Sequence, residues 1–403
     1  MKRVSVFIIV LLLILSGCSG GKGERDWLSL DFDAIQQAAS ESEVSFYMWG
    51  GSAMINSWID GFVADALRAE YDIDLKRVPM DASVFINKLI TEKQAGRETG
   101  SMDLIWINGE NFKNAREAEL LYGPFAESLP NFRDYVDPAT VEYDFGYPVE
   151  GYEAPYGRAQ FVFEYDTARS DAPSSFADLE RWVIENPGRF TYPQPPDFTG
   201  SAFIRQLFYA LSGGPQAYLD GFDTDLFEQN SALVWEYLNR IEPYLWQQGQ
   251  SYPKDLAALD TLFERGAVDI NMSYTQTNAQ SRIEAGRYPD TVRSFVMAEG
   301  SLFNTHFTAI PFNAPNKPGA MVAANFLLSP EAQYSKNQPA NWGDFTVLET
   351  ASLSPSWRER FENLDLGEAT LSFELLEMSA VPEVAPAYVE ALEQGWEENV
   401  LKD

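Results

Sequence analysis

The chain has little of the sulfur and imidazole chemistry on which many active sites depend. It contains one cysteine, Cys18, and one histidine, His306. An intramolecular disulfide is therefore excluded, as are zinc sites built from several Cys or His residues and a Cys-His nucleophile pair. A Ser-His-Asp triad could use only His306, and no Gly-x-Ser-x-Gly elbow presents a serine to it. We expect no metal site and no catalytic residue of these kinds.

Glycine-rich phosphate-binding motifs are also missing. Neither a GxxxxGK[ST] loop nor a GxGxxG segment occurs, so nucleotide binding has no support and we expect no cofactor. A pair of carboxylates for glycoside hydrolysis stays open, because the chain has 60 acidic residues. With so many acids, any chosen pair is more often solvated surface than catalytic machinery. A secreted hydrolase therefore remains an alternative without a specific signal.

Basic residues are scarce. The 403 residues include 29 Lys and Arg against 60 Asp and Glu, a formal charge of −31. This excess argues against nucleic acid and anionic membrane surfaces as partners, since both need basic patches. It fits a heavily solvated acidic surface, or an acidic patch for a cationic partner. Apolar residues make up 45% of the chain, which excludes disorder, and at ~150 residues per domain the length suggests two or three domains.

The N-terminus has the layout of an export signal. Lys2 and Arg3 precede an apolar run, Val4 to Leu15, that is short for a membrane span. Leu15-Ser16-Gly17-Cys18 resembles the bacterial lipoprotein box, which implies a signal peptide over 1–17 and lipid attachment at Cys18. Loss of Lys2 and Arg3 would leave 27 basic against 60 acidic residues, or −33. We expect an extracytoplasmic protein anchored to a bacterial membrane through Cys18, with a tether over 18–42 that holds one short helix near Phe32 to Ala39. An uncleaved anchor is the alternative.

Strand and helix patterns alternate after this tether. β-rich runs at 44–49, 73–78 and 102–107 are separated by segments with helical spacing, such as Ile55, Trp58, Ile59, Phe62 and Val63. This order predicts an α/β fold with a parallel sheet. In open α/β sheets ligands bind at the carboxyl ends of the strands.

Candidate ligand-binding residues follow from that rule. Trp49 and Ser52 follow the first strand, and Asn108 and Glu110 follow the third. Thr199 and Ser201 open a later helix, and Tyr274 follows a later strand. An aromatic side chain can stack on a ligand ring, and hydroxyl, amide and carboxylate groups can bond its polar atoms. Each also has an ordinary structural explanation, namely core packing, a turn, a helix N-cap or solvated charge.

Several segments resemble the substrate-binding proteins of ABC importers, in the branch that handles thiamine, polyamines, iron and sugars. The most specific are Glu299 to Pro311, Asn313 to Lys317 and Ala323 to Glu331, together with Tyr156-Gly157-Arg158. The likeness is greatest to the thiamine-transport binding proteins. It implies a two-lobed periplasmic-binding-protein fold (type II), each lobe a mostly parallel sheet flanked by helices. Lobe 1 would comprise 43–157 and 270–328, and lobe 2 would comprise 158–269 and 329–403.

The resemblance also implies a function. The protein would be a non-enzymatic monomer that captures a small molecule between its lobes and delivers it to a permease driven by a separate ATPase. Tyr156 and Arg158, both candidate ligand-binding residues, would lie at the first crossing between lobes, and Gly266 to Met272 would lie at the return crossing. Arg158 could clamp an anion or form a structural ion pair.

Departures from the family pattern bear on the ligand. Asn304 and His306 replace the signature tryptophan and aspartate of the polyamine binders, and Gly50-Gly51 replaces an acidic residue. Losing carboxylates disfavours a polyamine, and the absence of adjacent tyrosines disfavours iron. Two-residue spacing predicts that Asn304 and His306 share one strand face, toward the cleft. We expect thiamine or a related heteroaromatic or phosphorylated compound, with a sugar or a polyamine as alternatives.

Overall fold

The computed structural model describes residues 26–219 and 221–401. The expected signal peptide and the expected lipid-attachment residue, Cys18, lie outside these ranges. Within them, every helix is too short or too polar to cross a membrane.

The helices are short to medium in length, and π-helical residues Ile59–Val63 join the second to the third. They are α1 (Phe32–Ala39), α2 (Ala53–Trp58), α3 (Ala64–Tyr71), α4 (Ala82–Gln94), α5 (Gly109–Glu117), α6 (Pro130–Tyr135), α7 (Phe176–Glu185), α8 (Phe198–Ser212), α9 (Thr224–Ile241), α10 (Leu256–Glu264), α11 (Asn278–Glu284), α12 (Lys317–Leu327), α13 (Pro330–Asn337), α14 (Pro355–Glu362), α15 (Phe373–Ser379) and α16 (Pro386–Asn399).

The strands are short except for two that run between the halves of the molecule. They are β1 (Ser42–Met48), β2 (Ile73–Pro79), β3 (Leu104–Ile107), β4 (Leu121–Tyr122), β5 (Tyr143–Asp144), β6 (Tyr147–Pro148), β7 (Glu153–Gln160), β8 (Val162–Asp166), β9 (Ile270–Ser273), β10 (Val292–Phe295), β11 (Ser301–Pro311) and β12 (Ala380–Pro382).

The first sheet contains the β-α-β-α-β unit that the sequence predicts. β1 lies between β2 and β3 and is parallel to both. The helical spacing between β1 and β2 buries Ile55, Trp58 and Ile59 against this sheet. The carboxyl ends of β1 and β3 therefore meet at one edge, and Trp49 and Asn108 follow them there.

Two long strands connect the halves of the molecule. β11 pairs antiparallel with β3 through Phe307–Ala309, and antiparallel with β7 from Phe303 to Ala309. Tyr156 on β7 packs in one hydrophobic core and Ala159 in the other. The chain therefore passes from the first core to the second along Tyr156-Gly157-Arg158. The return crossing is made by β11 and not by Gly266 to Met272, because β9 pairs with β8 inside the second half.

The second sheet differs from the mostly parallel sheet that we expected in each lobe. β8 lies between β9 and β10 and is antiparallel to both. An apolar strand pattern in a sequence indicates that the strand is buried, but it does not indicate whether neighbouring strands run parallel or antiparallel. Here the strand direction depends on where the connections from α10 and α11 enter the sheet. The α/β class and the two-lobed architecture are confirmed.

Two hydrophobic cores define the lobes. The first takes residues between Ile35 and Tyr156 and between Phe307 and Leu353. The second takes Phe145, residues between Ala159 and Leu302, and residues between Ala369 and Val400. Segment 270–302 therefore belongs to the second lobe and 329–353 to the first, the reverse of the expected boundaries. The reason is that β9 and β10 pair with β8, whereas the Gln333 side chain of α13 donates to the Tyr156 carbonyl of β7 at 2.7 Å.

The range expected to be a tether, 18–42, includes residues that pack in the first lobe. Its predicted helix is present as α1, with the bounds Phe32–Ala39. Ile35 and Ala39 are fully buried in the first core, where α1 packs on α12. This helix is therefore part of the first lobe.

Candidate functional site

A cavity of about 810 Å³ opens between the lobes. The first lobe contributes α4 and α5, and the second contributes α16 and the Gln194–Pro196 loop. Its polar lining consists of carboxylates and amides with one serine: Ser83, Asn87, Glu110, Asn111, Asn114, Gln194, Glu390, Glu393, Gln394 and Glu397. Among the described residues that line it, none is Lys or Arg. The volume suits a small organic molecule.

Carboxylates from the two lobes face one another across this cavity. Glu110 lies in the first turn of α5 and is partly buried. Its pKa is raised to about 7, mainly by burial and to a smaller extent by the charges of Glu393 and Glu390. Arg205 partly offsets this rise in pKa. Burial also raises the pKa of Glu393, although a hydrogen bond from Ser201 and the charge of Arg205 act in the opposite direction. The cavity is therefore strongly acidic.

Arg205 forms a buried ion pair next to this cavity. Its Nε and Nη2 donate to the two carboxylate oxygens of Glu383, at 2.8 and 3.1 Å, and its Nη1 donates to Ser201 Oγ at 2.8 Å. The two charged side chains are 1% and 2% exposed. Burial alone would lower the pKa of Arg205, but the charge and hydrogen bonds of Glu383, together with Tyr274 and Glu393, raise that pKa above its ordinary value. Arg205 is thus held as a cation whose charge Glu383 already neutralises.

Two predicted site residues bind the same carboxylate. The Tyr274 hydroxyl donates to Glu383 Oε1, and Asn304 Nδ2 donates to the same oxygen at 3.4 Å. Both residues are buried, and no described residue donates to Asn304 Oδ1. Ser201, Tyr274 and Asn304, which lie far apart in the sequence, therefore meet around one ion pair.

Aromatic rings lie beside this network. Phe198 opens α8, is 42% exposed, and its ring centroid lies 5.0 Å from that of Tyr274. The Arg205 guanidinium carbon is 5.6 Å from the Phe198 ring and 5.8 Å from the Phe145 ring. An exposed ring next to a buried polar network offers a surface on which a flat ligand can stack.

The edge of the first sheet holds the other predicted residues. Trp49 is 42% exposed just after β1. Asn108 precedes α5 without capping it, and Gly109 adopts φ +60° while its N–H donates to Asp144 Oδ2 at 2.5 Å. Positive φ at this strand-to-helix turn accounts for the glycine. Ser52 acts as the N-cap of α2 by accepting from Ile55 N–H at 3.4 Å.

The start of α8 is capped by Asp197, whose Oδ1 accepts from the N–H groups of Thr199 and Gly200, both at 3.0 Å. Thr199 itself is buried in the first turn of the helix.

His306 and Tyr156 belong to a separate, buried cluster where the paired strands β7 and β11 connect the two lobes. His306 Nε2 lies 3.1 Å from Asp344 Oδ1, and Lys336 Nζ donates to Asp344 Oδ2 at 2.7 Å. The His306 ring stacks on Trp342 at 5.9 Å and meets Trp106 edge-on at 5.0 Å. Asn304 and His306 therefore have different partners, and His306 does not share the network around Glu383. The two-residue spacing predicts a shared strand face, but it does not predict which partners each side chain has.

Arg158 also lies on β7, where that strand connects the two lobes. Its backbone exchanges hydrogen bonds with Phe345, and its Nη2 donates to Thr140 Oγ1 at 2.8 Å. Burial lowers the pKa of this guanidinium, which the charge of Asp137 partly offsets. Its Nε is buried, and no described residue accepts from it.

The residues that sequence reasoning missed are Phe145, Phe198, Arg205, Glu383 and Glu393. Arg205 carried a usable signal, because it is a lone charge among the apolar residues of α8. Glu383 and Glu393 carried no such signal, because they are two of many acidic residues in a C-terminal segment with a helical pattern. Their roles depend on contacts between distant segments.

Comparison with known proteins gives consistent matches. A family model described as bacterial extracellular solute-binding protein matches residues 63–362. Protein YnjB of Escherichia coli (strain K12) is 39% identical over 373 residues, which cover 91% of this chain and 93% of that protein.

Solved structures show the same fold at low identity. The spermidine/putrescine substrate-binding protein PotD from Streptococcus pneumoniae has a TM-score of 0.61 at 15% identity, covering 89% of this chain and 100% of that one. A periplasmic thiamin binding protein has a TM-score of 0.58 at 17% identity, covering 89% and 96%.

Proposed function

This chain belongs to the bacterial extracellular solute-binding proteins, and we propose that it captures thiamine or a related heteroaromatic compound between its lobes for import. Proteins of this family bind solutes outside the cytoplasm for ABC transporters and are not enzymes. A secreted hydrolase is therefore no longer an alternative. The permease and the ATPase are the partners that this family implies.

The observation that supports the proposal is the inter-lobe cavity, whose lining residue Glu393 accepts a hydrogen bond from Ser201 of the buried network around Arg205. The exposed ring of Phe198 lies two residues after the lining segment Gln194–Pro196 and contacts the same network. Phe198 and Tyr274 would stack on a flat heterocycle, and Trp49, at the edge of the first sheet, would close over it. Glu110, Ser201 and Asn304 would bond its polar atoms. Thiamine combines an aminopyrimidine ring with a positively charged thiazolium, which suits aromatic walls and carboxylates together.

A phosphorylated form of the ligand has less support. Arg205, whose charge acts on Glu110 and Glu393, is already bonded to both oxygens of Glu383. Arg158 remains the candidate for an anion, since its buried Nε has no acceptor among the described residues. We propose that Tyr156 and His306 support the hinge and leave ligand contact to the residues around the cavity.

Capture would involve closure of the lobes about the paired strands β7 and β11. Hinge motion around a bound ligand is the usual behaviour of two-lobed binding proteins. We further propose that Cys18 carries a lipid anchor that keeps the protein at an extracytoplasmic membrane surface.

A polyamine is a second candidate, favoured by the acidic lining of the cavity. The two carboxylates missing at position 306 and at Gly50-Gly51 are matched in number by Glu390 and Glu393 on α16. A sugar is the third candidate ligand.

A thermal-shift screen of the chain from Ser19 onward tests the proposal. The panel contains thiamine, its phosphates, its pyrimidine precursor, spermidine, putrescine, oligosaccharides and amino acids. A ligand at ~100 times its dissociation constant adds roughly 2.7 kcal/mol to the free energy of unfolding, enough to raise the melting temperature by about 3–8 °C. We expect that shift with thiamine. A shift with a polyamine or a sugar alone would refute the thiamine assignment and leave solute binding in place.

A further inference from the structure

A hairpin of the first lobe reaches into the second lobe. Strands β5 and β6 pair antiparallel, with Phe145 and Gly146 at the turn between them. Val141 and Val149, on either side of the hairpin, are buried in the first core, whereas the Phe145 ring is 7% exposed and belongs to the second core. The chain returns to the first lobe after the turn, so this contact between the lobes is non-covalent.

The backbone of this turn is unfavourable for phenylalanine. Phe145 has φ +47° and Gly146 has φ +73°. Positive φ at both central residues is the pattern of a type I′ turn, in which Asn-Gly and Asp-Gly are preferred because a bulky side chain crowds the left-handed backbone. Contacts of the Phe145 ring must therefore compensate the strain of its backbone.

The base of the hairpin is fixed to the first lobe at α5. Asp144 Oδ2 accepts a hydrogen bond from the Gly109 N–H at 2.5 Å. The rings of Tyr147 and Phe112 meet edge-on, with their centroids 5.9 Å apart. A β-carbon at Gly109 would lie 3.3 Å from the Phe145 ring, so this ring packs closely on the turn that begins α5. The hairpin and α5 are therefore held together as parts of one lobe.

The tip of the hairpin contacts the second lobe at two places. The Arg205 guanidinium carbon lies 5.8 Å from the centroid of the Phe145 ring. A β-carbon at Gly146 would lie 4.0 Å from the carbonyl oxygen of Leu219, the residue after Tyr218 of the second core. The tip thus rests on the second lobe, while the base belongs to the first.

The contacts of the Phe145 ring lead to opposite walls of the inter-lobe cavity. On the first-lobe side, the ring packs on the turn that precedes Glu110, a residue of the lining. On the second-lobe side, Arg205 donates to Ser201 Oγ, and Ser201 bonds Glu393 of the lining. Phe145 is not one of the described residues that line the cavity, so it acts on the position of the lobes and not through contact with a solute.

We propose that the hairpin of β5 and β6 is a latch between the lobes, in which the Phe145 ring inserts into the second lobe when the lobes are together and withdraws when they separate. The inference rests on the proposed capture of a solute by closure about β7 and β11, but it does not depend on which solute is bound. The inserted ring favours the closed arrangement, because separation exposes its apolar surface and leaves the strained backbone of residue 145 uncompensated. The latch lowers the free energy of closure that a solute must otherwise supply.

The variant Phe145→Asn separates the effect of the ring from that of the turn. Asn-Gly is a preferred pair for a type I′ turn, so this variant keeps the hairpin and removes the inserted ring. Tyr143→Ala is the matched control, because Tyr143 lies in the same hairpin and its side chain is 55% exposed.

Pulsed electron–electron resonance between two spin labels measures closure without added solute. Glu117→Cys on α5 and Glu398→Cys on α16 place one label on each lobe, at exposed positions outside the described lining of the cavity. Cys18→Ser removes the only natural cysteine, so the two introduced residues are the only ones labelled.

With Phe145 in place, we expect a dominant short distance between the labels. Phe145→Asn should raise the ratio of molecules with a long distance to molecules with a short distance by about tenfold. Tyr143→Ala should change that ratio by less than about twofold. Circular dichroism and melting curves verify that each variant is folded.

Other results would overturn the latch. Distance distributions that coincide in Phe145→Asn and in the unmodified protein would show that the ring is ordinary packing. A dominant long distance with Phe145 in place would show that the ring is not inserted without a solute, and an equal shift in Tyr143→Ala would show that the ring is not the cause. Unfolding of Phe145→Asn would also refute the latch, since a ring that withdraws on opening cannot be essential to the second core. The thermal-shift screen tests solute capture separately, because these distances are measured without a solute.

Discussion

Arg205 and Glu383 form an ion pair in which both side chains are shielded from solvent, and three further polar side chains bond it. Arg205 and Glu383 are 178 residues apart in the sequence. A buried pair of this kind adds little net stability compared with apolar residues, but removing one partner leaves an uncompensated charge. The pair therefore positions Ser201, Tyr274 and Asn304 more than it stabilises the fold.

We predict that Glu383→Gln lowers the free energy of unfolding by about 3–5 kcal/mol, because Arg205 then stays buried without its counter-charge. Urea denaturation measures this change. Glu117→Gln, which breaks the exposed pair with Lys113, is the control and should cost less than about 1 kcal/mol. Replacing both partners, Arg205→Met with Glu383→Leu, should recover part of the loss. A cost below about 1 kcal/mol for Glu383→Gln would show that the pair is not formed in solution.

At the scale of single elements, the hinge strands depend on one glycine. Gly157 on β7 faces His306 on β11. A β-carbon at Gly157 would overlap the Asp344 carboxylate and the Lys336 ammonium group. The pair Lys336–Asp344 is fully buried, and burial lowers the pKa of Lys336 while Asp344 raises it. The two strands can therefore pass beside α13 only because residue 157 has no side chain.

We predict that Gly157→Ala destabilises the protein by about 2–4 kcal/mol, since the added methyl group must displace the buried Lys336–Asp344 pair. Thermal and urea unfolding measure the loss. Gly61→Ala is the matched control, because its β-carbon would meet no atom within 4 Å. That variant should be neutral or gain a few tenths of a kcal/mol, because alanine favours helical backbone. Equal stability of the two variants would contradict the packing at the hinge.

At the scale of the whole molecule, carboxylates from both lobes line the cavity between them. Burial, Glu393 and Glu390 raise the pKa of Glu110 from the ordinary 4.5 to about 7, and Arg205 limits the rise. The unfolded chain therefore releases the Glu110 proton at lower pH than the folded chain does. The folded state loses stability from this group as pH rises from about 4.5 to 7, and the loss is constant above pH 7.

We predict that Glu110→Gln is more stable than the unmodified protein at pH 8, by about 1–2 kcal/mol after solvent screening is allowed for. The difference should become small at pH 4.5, where Glu110 is almost fully protonated in the folded state and half protonated in the unfolded chain. Melting temperatures across this range measure it, with Glu117→Gln as the exposed control. A difference independent of pH would show that the effect of the substitution is not electrostatic. A bound cation should reverse the order at pH 8.

The sequence by itself determined the α/β class, the parallel order of β1 to β3, the helix at Phe32–Ala39 and the kinship to solute-binding proteins. These features depend on local periodicity and short motifs, which residues close in the chain encode. It also pointed to Glu110, because a carboxylate just after a buried strand lies at the edge of a sheet. The direction of β9 and β10, the exchange of 270–302 and 329–353 between lobes, and the separation of His306 from Asn304 were decided only by the tertiary structure. So was the choice of Glu383 as the partner of Arg205, because an acid on the folded chain gains its role from the distant residues that desolvate and bind it.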